Sequence, residues 1–118
     1  MDWLFLDSEK QISEIIEESF REDISAIAIF KHSTRCSISS MAKQRLERSW
    51  DLSPKNSPIY YLDLLAHRDI SNLIAEQFSV IHASPQLLLI KNGKCFFNAS
   101  QQDIRVEDVK SSIQKISN

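Results

Sequence analysis

Glycine occurs once in the 118 residues, at Gly93. That scarcity excludes the G-x-G-x-x-G turn and the P-loop, since each needs several glycines where backbone approaches phosphate. Cysteine is nearly as scarce: Cys36 and Cys95 lie far apart in the chain and do not form a disulfide framework. A basic excess is missing too. Fourteen Lys and Arg face sixteen Asp and Glu, a formal net charge of -2, so nothing draws the chain onto nucleic-acid backbones or acidic lipid. No nucleic-acid partner and no membrane partner is expected. Long apolar runs are also lacking. The run from Trp3 to Leu6 is short and flanked by Asp2 and Asp7, whereas a signal peptide needs a basic start and a longer apolar stretch. No segment has the length of a membrane span. A reducing, cytoplasmic setting is therefore expected, where a cysteine is either a buried small hydrophobe or a working thiol.

What is present suits a single domain over residues 1–118: hydrophobic residues make up 42% and charged residues 25%, enough for a sizeable core. Trp3 to Leu6 reads as a short strand. A helix follows from about Glu9 to Arg21, with Ser8 and Gln11 spaced as a capping box and Ile12, Ile15, Ile16 and Phe20 as its buried stripe. Ala26 to Phe30 is an unbroken apolar run, as in a strand covered on both faces at the centre of a parallel sheet. Ile38, Met41, Ala42, Leu46 and Trp50 recur at helical spacing over Ser37 to Trp50. Ile59 to Leu64 reads as a strand, and Ile70, Leu73, Ile74 and Phe78 as the stripe of another helix. Leu87 to Ile90 and Cys95 to Phe97 flank Asn92-Gly93, a strong signal for a tight antiparallel hairpin. Val106, Val109, Ile113 and Ile116 close the chain as an amphipathic helix. Parallel crossovers followed by a hairpin predict an α/β fold with a central mixed sheet and helices on both faces.

The informative stretch runs from Phe30 to Ser40. It places Cys36 between a buried strand and the N-terminus of a helix, where free N–H groups and the positive end of the dipole favour a thiolate over a thiol. No acid occurs from Ile24 to Leu46, while Lys31, Arg35, Lys43 and Arg45 are basic. Lys31 and Arg35 are the charges expected to favour the thiolate. Thr34, Ser37 and Ser39 are expected to hydrogen-bond the sulfur or the nearby backbone. A zinc reading of His32 with Cys36 finds too few further ligands, with His67, His82 and Cys95 poorly placed to complete a tetrahedral set. No metal is expected. His67 and His82 read as loop or surface residues, and Cys95, within an apolar strand, as a packing residue.

A strand, a helix opening at a cysteine, a second crossover, and Ser84-Pro85 entering the hairpin together resemble the thioredoxin superfamily over nearly the whole chain. The resemblance implies a thioredoxin-like fold in which Pro85 is a cis-proline beside the reactive cysteine, with Ser84 and Pro85 binding an extended substrate. Where dithiol members carry Cys-x-x-Cys, this chain reads Cys36-Ser37-Ile38-Ser39. More closely, Lys31-His32-Ser33-Thr34-Arg35-Cys36-Ser37-Ile38-Ser39 resembles the YtxJ-type monothiol bacilliredoxins, with Ser37 where many relatives carry proline. These proteins are associated with bacillithiol, a small thiol used in place of glutathione by some bacteria. The resemblance implies a thiol-disulfide oxidoreductase with Cys36 as nucleophile. Its partners would be S-bacillithiolated proteins and the low-molecular-weight thiol itself, a cosubstrate, with no bound cofactor. Two alternatives stand beside it. One is a non-catalytic module that kept the fold. The other is an iron-sulfur carrier like the monothiol glutaredoxins, whose Cys-Gly-Phe-Ser glycine and later Gly-Gly pair this chain lacks.

Overall fold

In a computed structural model, which describes residues 1–117, the chain builds a mixed sheet between two helical layers. Chain order is β1 (Trp3–Phe5), α1 (Lys10–Glu18), β2 (Ile27–His32), α2 (Ser37–Ser49), β3 (Ile59–Asp63), α3 (Arg68–Gln77), β4 (Gln86–Lys91), β5 (Lys94–Ser100) and α4 (Val106–Ser117), with a short 3-10 turn at Gln101–Asp103. The strands lie in the order β1-β3-β2-β4-β5. β3 runs parallel to both β1 and β2, whereas β4 is antiparallel to β2 and to β5. This is the expected mixed sheet, with β2 at its centre.

Alternation along the strands sorts the core into two layers. Ile27, Ile29, Leu62, Leu88 and Ile90 pack with Ile12 and Ile15 of α1 and with Ile70 and Ile74 of α3. On the other face Ala28, Phe30, Ile59, Leu87 and Leu89 pack with Ala42 and Leu46 of α2 and with Val106 and Val109 of α4. Burying that much aliphatic surface on both faces is the main force holding the layers together.

The elements depart from expectation in instructive places. β2 extends past Phe30 through Lys31 and His32, both buried, because pairing continues alongside: Lys31 lies between Leu62 of β3 and Gln86 of β4, and His32 pairs with Asp63 of β3. α1 is shorter than expected and ends at Glu18. Phe20 therefore leaves the buried stripe and is 59% exposed. On α2 the buried side chains are Ser39, Ala42 and Leu46, while Ile38 and Met41 face outward. The Ser8–Gln11 pair forms half a capping box: the Gln11 carboxamide oxygen accepts the Ser8 and Asp7 amides, but Ser8 returns no side-chain cap. Gln11 instead donates to the Phe5 carbonyl at 2.8 Å, tying α1 to the end of β1. At the hairpin, Asn92 and Gly93 both take positive φ, 52° and 76°, the geometry that a two-residue turn requires.

Candidate functional site

The carboxyl end of β2 delivers the chain to the site. After His32, Ser33 to Arg35 form a turn in which the Cys36 amide donates to the Ser33 carbonyl at 3.1 Å, and Cys36 becomes the N-cap residue of α2. Its thiol is free and half-buried. No side chain caps this 13-residue helix, and no acid stands in its first turn. The first-turn N–H groups that have no intrahelical acceptor are thus left to whatever charge develops at the cap. Because β4 is antiparallel to β2, the loop entering β4 lies at the same end of the sheet. The Ser84–Pro85 bond there is cis, Pro85 is buried, and its carbonyl accepts the Gln101 amide at 3.1 Å.

The structure distributes the expected site residues among different tasks. Thr34, Arg35 and Ser37 are exposed around Cys36, and Ser84 is half-exposed in the loop before β4. Ser39 occupies the position one helical turn after Cys36 but is fully buried. Its hydroxyl oxygen accepts the Ser33 amide at 3.0 Å and lies 2.6 Å from Nδ1 of His32, so it fastens the helix to the end of the strand. Lys31 has gone elsewhere. It shares the α1/α3 face with Ile27 and Ile29, is fully buried, and donates from Nζ to the Ser71 carbonyl at 3.2 Å and to Nδ1 of His82 at 3.3 Å. Burial lowers its pKa from 10.5 to about 8.

Several participants escaped the sequence reading. His82 lies, as expected of a loop or surface residue, exposed in the loop before β4, but its ring also accepts from Lys31 and stands 3.3 Å from the Ser71 hydroxyl. Burial, then the Lys31 and Arg68 charges, hold its pKa below the usual histidine value. His32, 4% exposed, stacks on Phe30 with ring centroids 5.7 Å apart and meets Tyr61 at 5.5 Å. Burial first, then Lys43, lowers its pKa as well. Periodicity carries no signal for such contacts, because each joins residues distant in the chain. Cys95 has a distinct setting: its thiol donates to the Phe97 carbonyl at 3.2 Å and burial raises its pKa.

On the α2 face lies an open groove of about 440 Å³ whose lining includes Thr34 and Ser40, close to Cys36 in sequence. Thr34 precedes α2; Ser40, Lys43, Gln44 and Glu47 line the groove from α2, and Tyr61 and His32 line it from the sheet. Among the described residues no group of three or more His, Cys, Asp or Glu is placed to hold a metal ion. No described helix is long and apolar enough to cross a membrane.

Known proteins share both the pattern and the architecture. The family model for the monothiol bacilliredoxin BrxC matches residues 5–109. A solved thioredoxin-fold protein proposed to be an oxidoreductase is 29% identical, covers 93% of this chain and 92% of its own, and superposes with a TM-score of 0.78. The thioredoxin of Malassezia sympodialis, at 18% identity, covers 100% of this chain and 92% of its own with a TM-score of 0.68. The thioredoxin of Fasciola hepatica, also at 18%, covers 94% and 96% with a TM-score of 0.66. At these lower identities the likeness concerns the fold, and the fold is that of thioredoxin.

Proposed function

The chain belongs to the monothiol bacilliredoxin family, and from that premise of a thiol-redox role we propose that Cys36 removes bacillithiol from mixed disulfides on other proteins. The observation that carries this reading is Cys36 standing as the N-cap residue of a helix that no side chain caps. A thiolate formed there receives the first-turn N–H groups and the helix dipole. Arg35, exposed next to it in sequence, adds positive charge and can attract the carboxylates of the small thiol.

The exchange is a displacement at sulfur. The Cys36 thiolate attacks the bacillithiol sulfur of the mixed disulfide, the protein leaves as a thiolate that takes a proton from solvent, and the bacillithiol remains disulfide-bonded to Cys36. Ser39, in the place of a second cysteine, cannot attack that adduct. A second molecule of small thiol must then release it, producing the symmetrical disulfide and regenerating Cys36. No bound cofactor enters either step. The protein substrate needs surface to rest on, and the backbone of Ser84 next to Pro85, with exposed Ile81 and Ile38 at the same end of the sheet, supplies polar and apolar contacts for an extended segment. Such exchange suits a reducing cytoplasm, where small-thiol adducts on proteins are repaired.

The test is to incubate wild-type and Cys36→Ser proteins with one test protein carrying either bacillithiol or glutathione. Wild type is expected to release bacillithiol faster than glutathione and to accumulate a Cys36 adduct visible by intact mass. Equal release by both variants, or no adduct, would leave a non-catalytic module. Faster release of glutathione would reverse the preference.

A further inference from the structure

The groove on the α2 face has an unusual balance of chemistry for a site whose lining residues bracket a nucleophilic thiol in sequence. Its two charged lining residues, Lys43 and Glu47, pair with each other at 2.8 Å, and the Trp3 indole donates to the Glu47 carboxylate at 3.0 Å. The Lys43 ammonium also sits 5.7 Å from the Trp3 ring centre and 5.9 Å from that of Tyr61. Apart from the half-exposed Lys43–Glu47 ion pair, the groups that line the groove are neutral or, in His32, held toward the neutral form. Thr34 and Ser40 contribute hydroxyls, Gln44 a carboxamide and Tyr61 a phenol whose pKa burial raises, so that it stays protonated. His32 is nine-tenths buried and lines the groove with Nδ1 engaged by Ser39, leaving Nε2 as the ring nitrogen open to an entrant. The Tyr61 ring, which meets the Trp3 ring edge-on at a centroid distance of 5.7 Å, presents apolar surface among these polar groups.

A Tyr61 ring bordered by neutral donors and acceptors matches a ring with a C–H face and a hydroxyl rim, and Lys43, the one cation in the lining, is already paired with Glu47 and so offers a free carboxylate no unpaired partner. The volume, about 440 Å³, is at the scale of small-molecule sites. Position completes the argument. The groove opens at the carboxyl ends of β2 and β3, where α/β sheets usually receive ligands. Thr34 and Ser40 bracket Cys36 in sequence, and the Ser40 amide donates to the Cys36 carbonyl at 3.0 Å. Ser40, a lining residue, stands about one helical turn, ~5 Å, along α2 from Cys36, a span that a group linked to the Cys36 sulfur can reach.

We propose that this groove is the subsite for the uncharged, hydroxylated part of the small thiol carried on Cys36, a sugar ring in preference to a carboxylate-bearing arm. The proposal rests on the reading of Cys36 as acceptor of a small thiol. Bacillithiol, a sugar-bearing thiol, and cysteine, which has no sugar, are the discriminating probes.

Oxidised bacillithiol and cystine can each load Cys36 chemically: the thiolate attacks one sulfur of the symmetrical disulfide and the other departs as thiolate. Amide chemical shifts of the two adducts are then compared. The bacillithiol adduct should move the Thr34, Ser40 and Gln44 amides and the Trp3 indole N–H, and the cysteine adduct should not. In exchange assays, Gln44→Trp fills the groove from an exposed helix position. It should lower the ratio of bacillithiol release to cysteine release at least fivefold, with Gln44→Ala lowering it less. Shifts confined to the Ser84–Pro85 loop, or an unmoved ratio in Gln44→Trp, would overturn the assignment. Because the chemical loading needs no catalysis, the two ideas fail separately. A wild type that takes no bacillithiol from proteins yet shows the groove shifts loses the proposed activity and keeps the subsite. One that takes it with the ratio unmoved loses the subsite alone.

Discussion

The Lys31 ammonium, with no exposed surface, donates to Nδ1 of His82 at 3.3 Å, and the Ser71 carbonyl is its other acceptor. A buried cation held by neutral acceptors alone is costly to keep charged, which is the physical cause of its lowered pKa, about 8 against the ordinary 10.5. Nδ1 can accept from Lys31 only if it carries no proton, so the neutral His82 ring is protonated at Nε2.

A pH dependence with a definite sign follows from that pair. Between about pH 8 and 10.5 the unfolded chain binds the Lys31 proton more tightly than the native one, so Lys31's contribution to stability rises with pH across that window and is constant and unfavourable below it. His82 and His32 act at the other end. Both are held below the ordinary histidine value of 6.5, and stability should fall as pH drops through it. Lys31→Met, which removes the charge and keeps apolar volume, should be neutral or stabilising by about 1 kcal/mol or more at pH 7. It should also flatten the alkaline rise. Thermal melts of both proteins at pH 5, 7 and 9 would check this, and a loss of several degrees for Lys31→Met at pH 7 would contradict it.

The two cysteines should separate cleanly toward an alkylating agent. Cys36 stands at an uncapped helix N-terminus, while Cys95 donates to a carbonyl and has its pKa raised by burial. Iodoacetamide at pH 7 should therefore modify Cys36 at least tenfold faster, as read by peptide mapping. Equal rates would remove the assignment of Cys36 as the working thiol.

Gly93 should be the least replaceable residue of the hairpin. Its φ is +76°, and a Cβ there would meet the Phe20 ring at 3.1 Å. The turn is also pinned to the end of α1, with Gly93 N–H donating to the Ser19 hydroxyl at 2.9 Å and Asn92 N–H to the Ser19 carbonyl at 3.0 Å. Gly93→Ala should cost more than about 1 kcal/mol. Asn92→Gly, at a φ of 52°, should change stability by less than about 0.5 kcal/mol. Urea midpoints would measure both.

The strands, helices, mixed sheet and thioredoxin-like fold were legible because each rests on local signals: apolar runs, helical spacing and Asn92-Gly93. Lys31 and His32 resisted the same reading. Polar residues after an apolar run look like the start of a turn, and only pairing with β3, and with β4 at Lys31, keeps them in the sheet. Ile38 and Met41 misled in the opposite sense, since spacing marks a stripe without saying whether a layer covers it. The register at Cys36 was legible from the motif. The engagement of Ser39 with His32, the Lys31–His82 pair and the groove under Tyr61 were not, because they join segments that only the tertiary fold brings together.

Ser39 tests both the structural and the chemical reading of that motif. Its buried hydroxyl serves the Ser33 amide and His32 Nδ1, so Ser39→Ala leaves two polar atoms without their partner and should cost about 1–3 kcal/mol. Ser39→Cys loses the same contacts but places sulfur one helical turn from Cys36, where a resolving thiol would sit. Mild oxidation of that variant should remove two hydrogens from the intact mass and block alkylation at both positions. The small-thiol adduct on Cys36 should then no longer accumulate, because the new thiol displaces it and leaves an intramolecular disulfide. If the adduct accumulated as in wild type while both thiols stayed free, residue 39 would not face the reacting sulfur. The monothiol character of the chain would then have to arise from something other than serine at that position.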